Sequence, residues 1–214
     1  MLELEKVAKR YQTKRGSVSA LDGVSFSAQA GEFVLVRGPS GGGKTTLLMA
    51  LGGMMQPTSG RVLVDGTDLY ALSGKDRARL RAQKIGFVFQ MFHLVPYLNV
   101  IENVLLAAGA GGPRDRAQKL LEQLGLDDRT QHHPSELSAG EKQRTAIARA
   151  MIGNPKLILA DEPTGNLDDD NAREVARHLA DFASDGGTVV MVTHGQLIGA
   201  TADREIKIEA GQLV

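Results

Sequence analysis

Cysteine is absent, which rules out disulfides, thiolate metal sites and thiol nucleophiles and fits a reducing compartment. No apolar run approaches the ~18 residues that cross a bilayer as a helix; stretches such as Val104–Ala108 and Val189–Val192 are far shorter. Any membrane role must therefore be played through a partner. An excess of basic charge is also lacking, since Lys plus Arg and Asp plus Glu both number 25. That balance carries no sign of the surface that nucleic acid demands, and no nucleic-acid partner is expected. The opening MLELEKVAKRY places charges where a secretory signal would need an apolar region, so secretion is not expected. There is no internal repeat, low-complexity tract or interdomain linker. The 214 residues are 42% hydrophobic and 23% charged, an ordinary globular composition, and one domain with an inserted lobe is the simplest organisation.

What is present is an alternation of strand and helix signals. From Leu2 to Ala28 apolar and polar residues alternate around a turn near Gly16, predicting two or three antiparallel strands. Phe33–Arg37 (FVLVR), bounded by Gly31 and Gly38, reads as a buried strand, followed by a glycine-rich loop and a helix over Lys44–Leu51. Further strands are expected at Arg61–Asp65 and Ile85–Phe89, with a charged helix (KDRARLRAQK) between them. Val100 to Met151 carries only helical patterns, broken at GAGGP and at His132–Ser135, and reads as an inserted helical lobe. Strands resume at Leu157–Ala160, Thr188–Val192 and Glu205–Ile208, with a helix over Asp169–Ala183. Such alternation implies a mostly parallel sheet covered by helices.

GPSGGGKT, Gly38–Thr45, fits the phosphate-loop pattern and sits between a predicted strand and a predicted helix, as its mechanism requires. Its glycines let backbone N–H groups turn inward on phosphate oxygens, and the following helix adds the positive end of its dipole. Lys44 would reach the β and γ phosphates, and the Thr45 hydroxyl would ligate Mg²⁺. The whole stretch Gly38, Pro39, Ser40, Gly41, Gly42, Gly43, Lys44, Thr45 and Thr46 is assigned to ATP. The competing reading is a glycine-rich turn with a chance lysine.

The apolar run Leu157–Ala160 delivers Asp161 and Glu162 at a strand's C-terminal end, where open α/β sheets place their ligands. Asp161 is assigned to Mg²⁺, and Glu162 to orienting or deprotonating the attacking water. Alone, an Asp-Glu pair is more often a solvated strand end; coupled to the phosphate loop, the functional reading prevails.

LSAGEKQR (Leu137–Arg144), followed by an alanine-rich helix and LILADEPTGNLD, resembles the ABC ATPase family. The ordered set Tyr11, phosphate loop, Gln90, signature, acidic strand end, Asp168 and His194 extends the resemblance along the chain. It implies an α/β P-loop NTPase of the ABC ATPase fold: a mostly parallel core sheet, an N-terminal antiparallel β lobe and an inserted helical lobe. Residues 1–90 and 155–214 would form the nucleotide-binding core and β lobe, and 91–154 the helical signature lobe.

The resemblance also implies roles. Tyr11 would stack on adenine, unless it is a half-buried strand tyrosine. Gln90 would reach Mg²⁺ and the attacking water. Ser138, Ala139, Gly140 and Glu141 would receive the γ-phosphate of ATP held by a second subunit, at a helix N-terminus suited to anions; Ser138 could equally be only a helix cap. Ala139 and Glu141 depart from LSGGQ, and a need for positive φ or for very close phosphate approach at 139 would weaken that contact. His194, followed by Gly195 where the family often has aspartate, would contact the γ-phosphate. Asp168 would communicate across the dimer, cap the next helix, or both.

Met91–Val104 (MFHLVPYLNVIENV) is unusually apolar, and Met91–Tyr97 is assigned to docking a membrane permease. Core packing competes there, because Val100, Val104 and Leu105 have helical spacing. The combined motifs resemble the bacterial branch of lipoprotein release, macrolide export and cell-division permeases. Expected is a Mg²⁺-dependent ATPase whose head-to-tail homodimer closes on ATP and reopens on hydrolysis, driving transport or mechanical transmission. It would lie in the cytoplasm, on the inner face of the membrane through its permease. A soluble ABC ATPase acting on nucleic acid or ribosomes, or a small phosphotransferase, is the alternative.

Overall fold

The computed structural model describes residues 1–14, 16–108 and 113–214. Two long strands, β1 (Leu2–Thr13) and β2 (Gly16–Ala28), pair antiparallel, as their alternating pattern predicts. β1 also pairs antiparallel with β4 (Ser59–Val64), which pairs with the short β5 (Thr67–Asp68), giving a sheet in the order β2-β1-β4-β5. Register shifts along β1 mark bulges, the first beside Lys6 at φ 49.

The second sheet is assembled from β3 (Phe33–Arg37), β6 (Ile85–Phe89), β7 (Leu157–Asp161), β8 (Thr188–Thr193), β9 (Arg204–Glu209) and β10 (Gln212–Leu213), in the order β10-β9-β3-β8-β7-β6. Every neighbouring pair is parallel except β10 with β9. Both faces are covered, so its central strands are apolar throughout rather than alternating. Successive side chains still face opposite ways. Phe33, Leu35, Ile158, Ala160, Val189 and Met191 enter one core; Val34, Val36, Leu157, Leu159, Val190 and Val192 enter the other.

The second of those cores is closed by the β lobe and by α1 (Lys44–Leu51), through Leu47, Leu48, Ala50 and Leu51. The first is closed by α3 (Val100–Leu105), α4 (Arg114–Gln123), α5 (Ala139–Met151) and α6 (Asp169–Ser184). The charged helix α2 (Gly74–Lys84) buries no residue and begins at a Ser73 cap that accepts from the Asp76 amide at 3.2 Å. Between β6 and β7 the described residues contain α3, α4, α5 and short 3₁₀ turns but no strand. One such turn, Pro134–Glu136, occupies the predicted break at His132–Ser135; residues 109–112 of the GAGGP break lie outside the described residues.

The apolar stretch Met91–Val104 divides at Asn99. Its side chain accepts from the Glu102 amide at 2.9 Å and Glu102 returns the contact to the Asn99 amide at 2.9 Å, a reciprocal cap that starts α3. Beyond it, Val100, Ile101 and Val104 are core residues; before it, Met91 and Tyr97 are exposed by 69% and 78%. Buried Asn103 anchors the exposed part, donating to the carbonyls of Val95 and Leu98 and accepting from the Val95 amide at 2.7 Å.

Candidate active site

The parallel arrangement of β3, β6, β7 and β8 brings their C-terminal ends to one edge, and each delivers one part of the site. β3 runs into the phosphate loop, β6 ends before Gln90, β7 ends in Asp161 with Glu162 next, and β8 ends before His194. They surround a cleft of about 660 Å³ lined by Ser40, Gly41, Gly43, Lys44, Thr45, Thr46, Gln90, Asp161, Glu162 and His194, among others.

Glycine is required in this loop for two reasons. Gly43 has φ 105, and a Cβ there would lie 2.4 Å from the Ala20 carbonyl; a Cβ on Gly38 would lie 2.0 Å from the Ile208 carbonyl. Gly43 is also the N-cap of α1, which has no side-chain cap and no acidic residue in its first turn. Its N-terminal amides are thus left to an external acceptor. The Lys44 ammonium, 8% exposed, donates to the carbonyls of Gly38 at 2.8 Å and Pro39 at 3.0 Å. Gly42 belongs to the underside, its amide bonded to the Pro39 carbonyl and its own carbonyl accepting from Gly211.

Facing the loop, the Thr45 hydroxyl donates to Asp161 Oδ1 at 3.4 Å. Burial pushes the Asp161 carboxyl above its ordinary range, opposed by that hydroxyl. Glu162 sits at φ 47, a left-handed conformation that costs a non-glycine residue about 1–3 kcal/mol. Contacts on every side hold it there. Its Oε2 accepts from the Thr193 hydroxyl at 3.0 Å and the His194 amide at 3.2 Å, while Oε1 lies 2.8 Å from His194 Nδ1 and 3.9 Å from Lys44 Nζ. The carboxylate and the Lys44 ammonium therefore meet across the cleft, with an exposed imidazole beside them. Gly195 donates its amide to the Thr193 hydroxyl at 3.0 Å, a contact that needs no side chain at position 195.

Gln90 turns toward the loop after Glu162: its Nε2 donates to Asn166 Oδ1 at 3.3 Å, and Asn166 Nδ2 returns to the Gln90 carbonyl at 3.2 Å. Thr193 and Asn166 were not singled out by sequence; the signal available was their position directly before His194 and inside GNLD.

The signature residues lie outside this cleft. Ser138 caps α5 by accepting from the Glu141 amide at 3.2 Å, and Glu141 accepts from the Ser138 amide at 2.7 Å and from Arg129 at 2.8 Å. The Ser138 contact first, and then Arg129, lower the Glu141 pKa to about 2 against the cost of burial. Ala139 begins the helix, exposed and with no positive φ, so its methyl group meets no backbone constraint. Gly140 is different: a Cβ there would lie 1.8 Å from Asn171 Oδ1. Asn171 is fixed in turn by Asp168, which caps α6 through the Asn171 amide at 2.9 Å and accepts from Asn171 Nδ2 at 2.8 Å. The capping role proposed for Asp168 is therefore present, and its first cause, the Asn171 amide, lowers the Asp168 pKa. Tyr11 also stands apart from the cleft lining; it is 42% exposed, with Lys9 Nζ 5.1 Å from its ring centroid.

A phosphate loop, an acidic strand end and a separate capped signature helix on this sheet order coincide with a known family, because the family model described as ABC transporter matches residues 21–165. The chain belongs to the ABC transporter family. Relatives of this ABC protein include the lipoprotein-releasing system ATP-binding protein LolD of Shewanella frigidimarina, 44% identical over the whole chain and 92% of the relative. The macrolide export ATP-binding/permease protein MacB of Chlorobaculum tepidum is also 44% identical, but the chain spans only 34% of its length. An ABC transporter ATP-binding protein of Bacillus subtilis, YvrO, is 41% identical over the whole chain and 96% of the relative. A solved ATP-binding cassette in a dimeric, post-hydrolysis state with ADP and phosphate superposes with a TM-score of 0.92 at 37% identity, covering the whole chain and 96% of that cassette. The protein is accordingly an ATPase subunit of an ABC transporter of the LolD and MacB type, with the α/β cassette fold. Among the described residues no helix is long and apolar enough to cross a membrane.

Proposed function

We propose that each working site is shared by two copies of the chain, with Lys44, Thr45, Asp161, Glu162, Gln90 and His194 of one copy facing Ser138, Ala139, Gly140 and Glu141 of the other. What carries this reading is the position of the Glu162 carboxylate, held by Thr193 and His194 and facing Lys44, while α5 opens outside the cleft. In it, residues 91–154 act as the signature lobe, and residues 1–90 and 155–214 as the nucleotide-binding core with its β lobe.

ATP enters with its phosphates over the free amides at the start of α1. Lys44 exchanges its bonds to Gly38 and Pro39 for the β and γ phosphates, and Tyr11 offers a ring face to adenine. Thr45, Asp161 and Gln90 supply only oxygen donors here, a set suited to Mg²⁺, which neutralises phosphate charge when bound. Glu162 takes a proton from a water whose oxygen attacks the γ-phosphorus as the bond to ADP breaks, leaving ADP and phosphate. His194, hydrogen-bonded to Glu162, keeps that carboxylate aimed and reaches the γ-phosphate. Signature amides from the second copy complete the anion cradle, and Asp168 signals between sites. Met91–Tyr97, which follows Gln90 and exposes Met91 and Tyr97, docks the permease and so holds the protein on the inner face of a membrane. The closest functional sense is the release or export chemistry of the LolD and MacB branch, by transport or by mechanical transmission.

Glu162→Gln tests the assignment. It should bind ATP normally, accumulate as a closed dimer in size-exclusion chromatography, and hydrolyse about 10²- to 10⁴-fold more slowly. Turnover at the wild-type rate removes Glu162 from the water-activating role.

A further inference from the structure

The turn that follows Gln90 is held by a side chain from the opposite end of the signature helix. Arg149, half-buried near the C-terminal end of α5, donates from Nη2 to the Phe92 carbonyl at 2.6 Å and from Nη1 to the His93 carbonyl at 2.5 Å. Among the described residues no carboxylate lies within ion-pair reach of this guanidinium, and burial lowers its pKa. Its two hydrogen bonds therefore go to backbone, not to a counter-charge.

Those two carbonyls belong to unusual residues. Phe92 and His93 have φ 57 and 49, so two consecutive non-glycine residues occupy the left-handed region. That conformation persists only where neighbouring contacts impose it. Within the turn, the Phe92 amide donates to the Phe89 carbonyl at 3.2 Å and the His93 amide to the Met91 carbonyl at 2.5 Å. The Arg149 fork adds the contacts from outside the turn.

The consequence of the turn is a partition. His93 stands edge-on to Phe89, ring centroids 5.1 Å apart, and both rings line the nucleotide cleft and also a second cavity of about 510 Å³. Arg149, Phe87 and Leu106 line only that second cavity. One guanidinium thus fixes, from the far side, a wall of the cleft that Gln90 also lines.

We propose that Arg149 is a positioning residue for ATP hydrolysis, clamping the Phe92 and His93 carbonyls so that the Phe89–His93 wall and the adjacent Gln90 keep their place at the nucleotide. This rests on Gln90 acting at the nucleotide. A lysine carries the charge but presents one compact ammonium, so it cannot reproduce a planar fork across two carbonyls.

The test compares Arg149→Lys, Arg149→Met and Gln90→Ala in the full chain, reading kcat, KM for ATP and hydrogen exchange at the amides of residues 91–95. Both Arg149 variants should lower kcat about tenfold or more with KM within about twofold, since small misplacements of a positioning group act on the transition state. Exchange at 91–95 should quicken while the β7 amides stay protected. A lysine variant with wild-type kcat and protection reduces Arg149 to a charge and overturns the proposal. Faster exchange at 91–95 with unchanged kcat, alongside an impaired Gln90→Ala, overturns the positioning claim and spares the reading of Gln90. Wild-type kcat in Gln90→Ala removes that reading and the proposal with it. If Arg149→Met does not fold, Arg149→Lys decides by the same measurements.

Discussion

One helix of this protein begins at the phosphate loop and another at the signature sequence, yet they begin in opposite ways. α1 starts from Gly43 with no side-chain cap and no acidic residue in its first turn. α5 starts from Ser138 with a reciprocal cap and Glu141 in its first turn. A helix leaves its first amides without internal partners, so α1 is incomplete until something else accepts from it, whereas α5 is already partly satisfied. The first is also enclosed, with Lys44 folded against its own loop, and the second is exposed. On the proposed shared site, the difference assigns nucleotide binding by one copy to α1 and leaves α5 to act only when another copy presents a phosphate to it.

The strongest way to break the comparison is at the enclosed end. Lys44→Ala removes charge-assisted hydrogen bonds worth about 1.5–3 kcal/mol, so ATP affinity measured by calorimetry should fall about 10- to 100-fold. Unchanged affinity would mean that the α1 amides suffice. At the exposed end, Ala139→Asp places a carboxylate where a helix dipole favours it, adding about 0.3–1 kcal/mol to stability. It should leave nucleotide binding by single copies within about twofold and weaken ATP-dependent dimerisation about tenfold or more by light scattering. Normal dimerisation in that variant would separate α5 from the shared site. Gly140 is a poorer probe, because any side chain there first displaces Asn171.

The smallest effect concerns acid. Glu141 titrates at about 2 in the folded protein against an ordinary 4.5, so its contribution to stability is complete above about 4.5 and is lost as pH falls toward 2. Glutamine keeps the cap to the Ser138 amide but does not titrate. Thermal unfolding of Glu141→Gln should therefore depend less on pH between about 4.5 and 2 than that of the unaltered protein. Parallel curves would remove Glu141 from the acid response.

The contrast between the two helices also marks how far the sequence could be read. Strand Phe33–Arg37 and the start of α1 were legible because Gly31 and Gly38 bound a short apolar run and Gly43 precedes the helix, and Ile85–Phe89 because a short apolar run lies between polar Lys84 and Gln90. β5 and β10 were not, since two-residue strands leave no periodicity. In Met91–Val104 the hydrophobic pattern alone could not separate surface from core; the Asn99 cap does so, and a cap is a local polar signal rather than a hydrophobic one. Residue types at the cleft were readable from the motifs. The supporting contacts of Thr193, Asn166 and Arg149 were not, because each joins segments far apart in the chain.

Gly140 and Asn171 share one small space, the first by having no side chain and the second by filling the room this leaves. As lineages diverge, the two positions should be inherited as a pair. A larger residue at 140 should persist only where 171 has already shrunk, and because Asn171 also binds Asp168, such a lineage should have changed its turn at 168 as well.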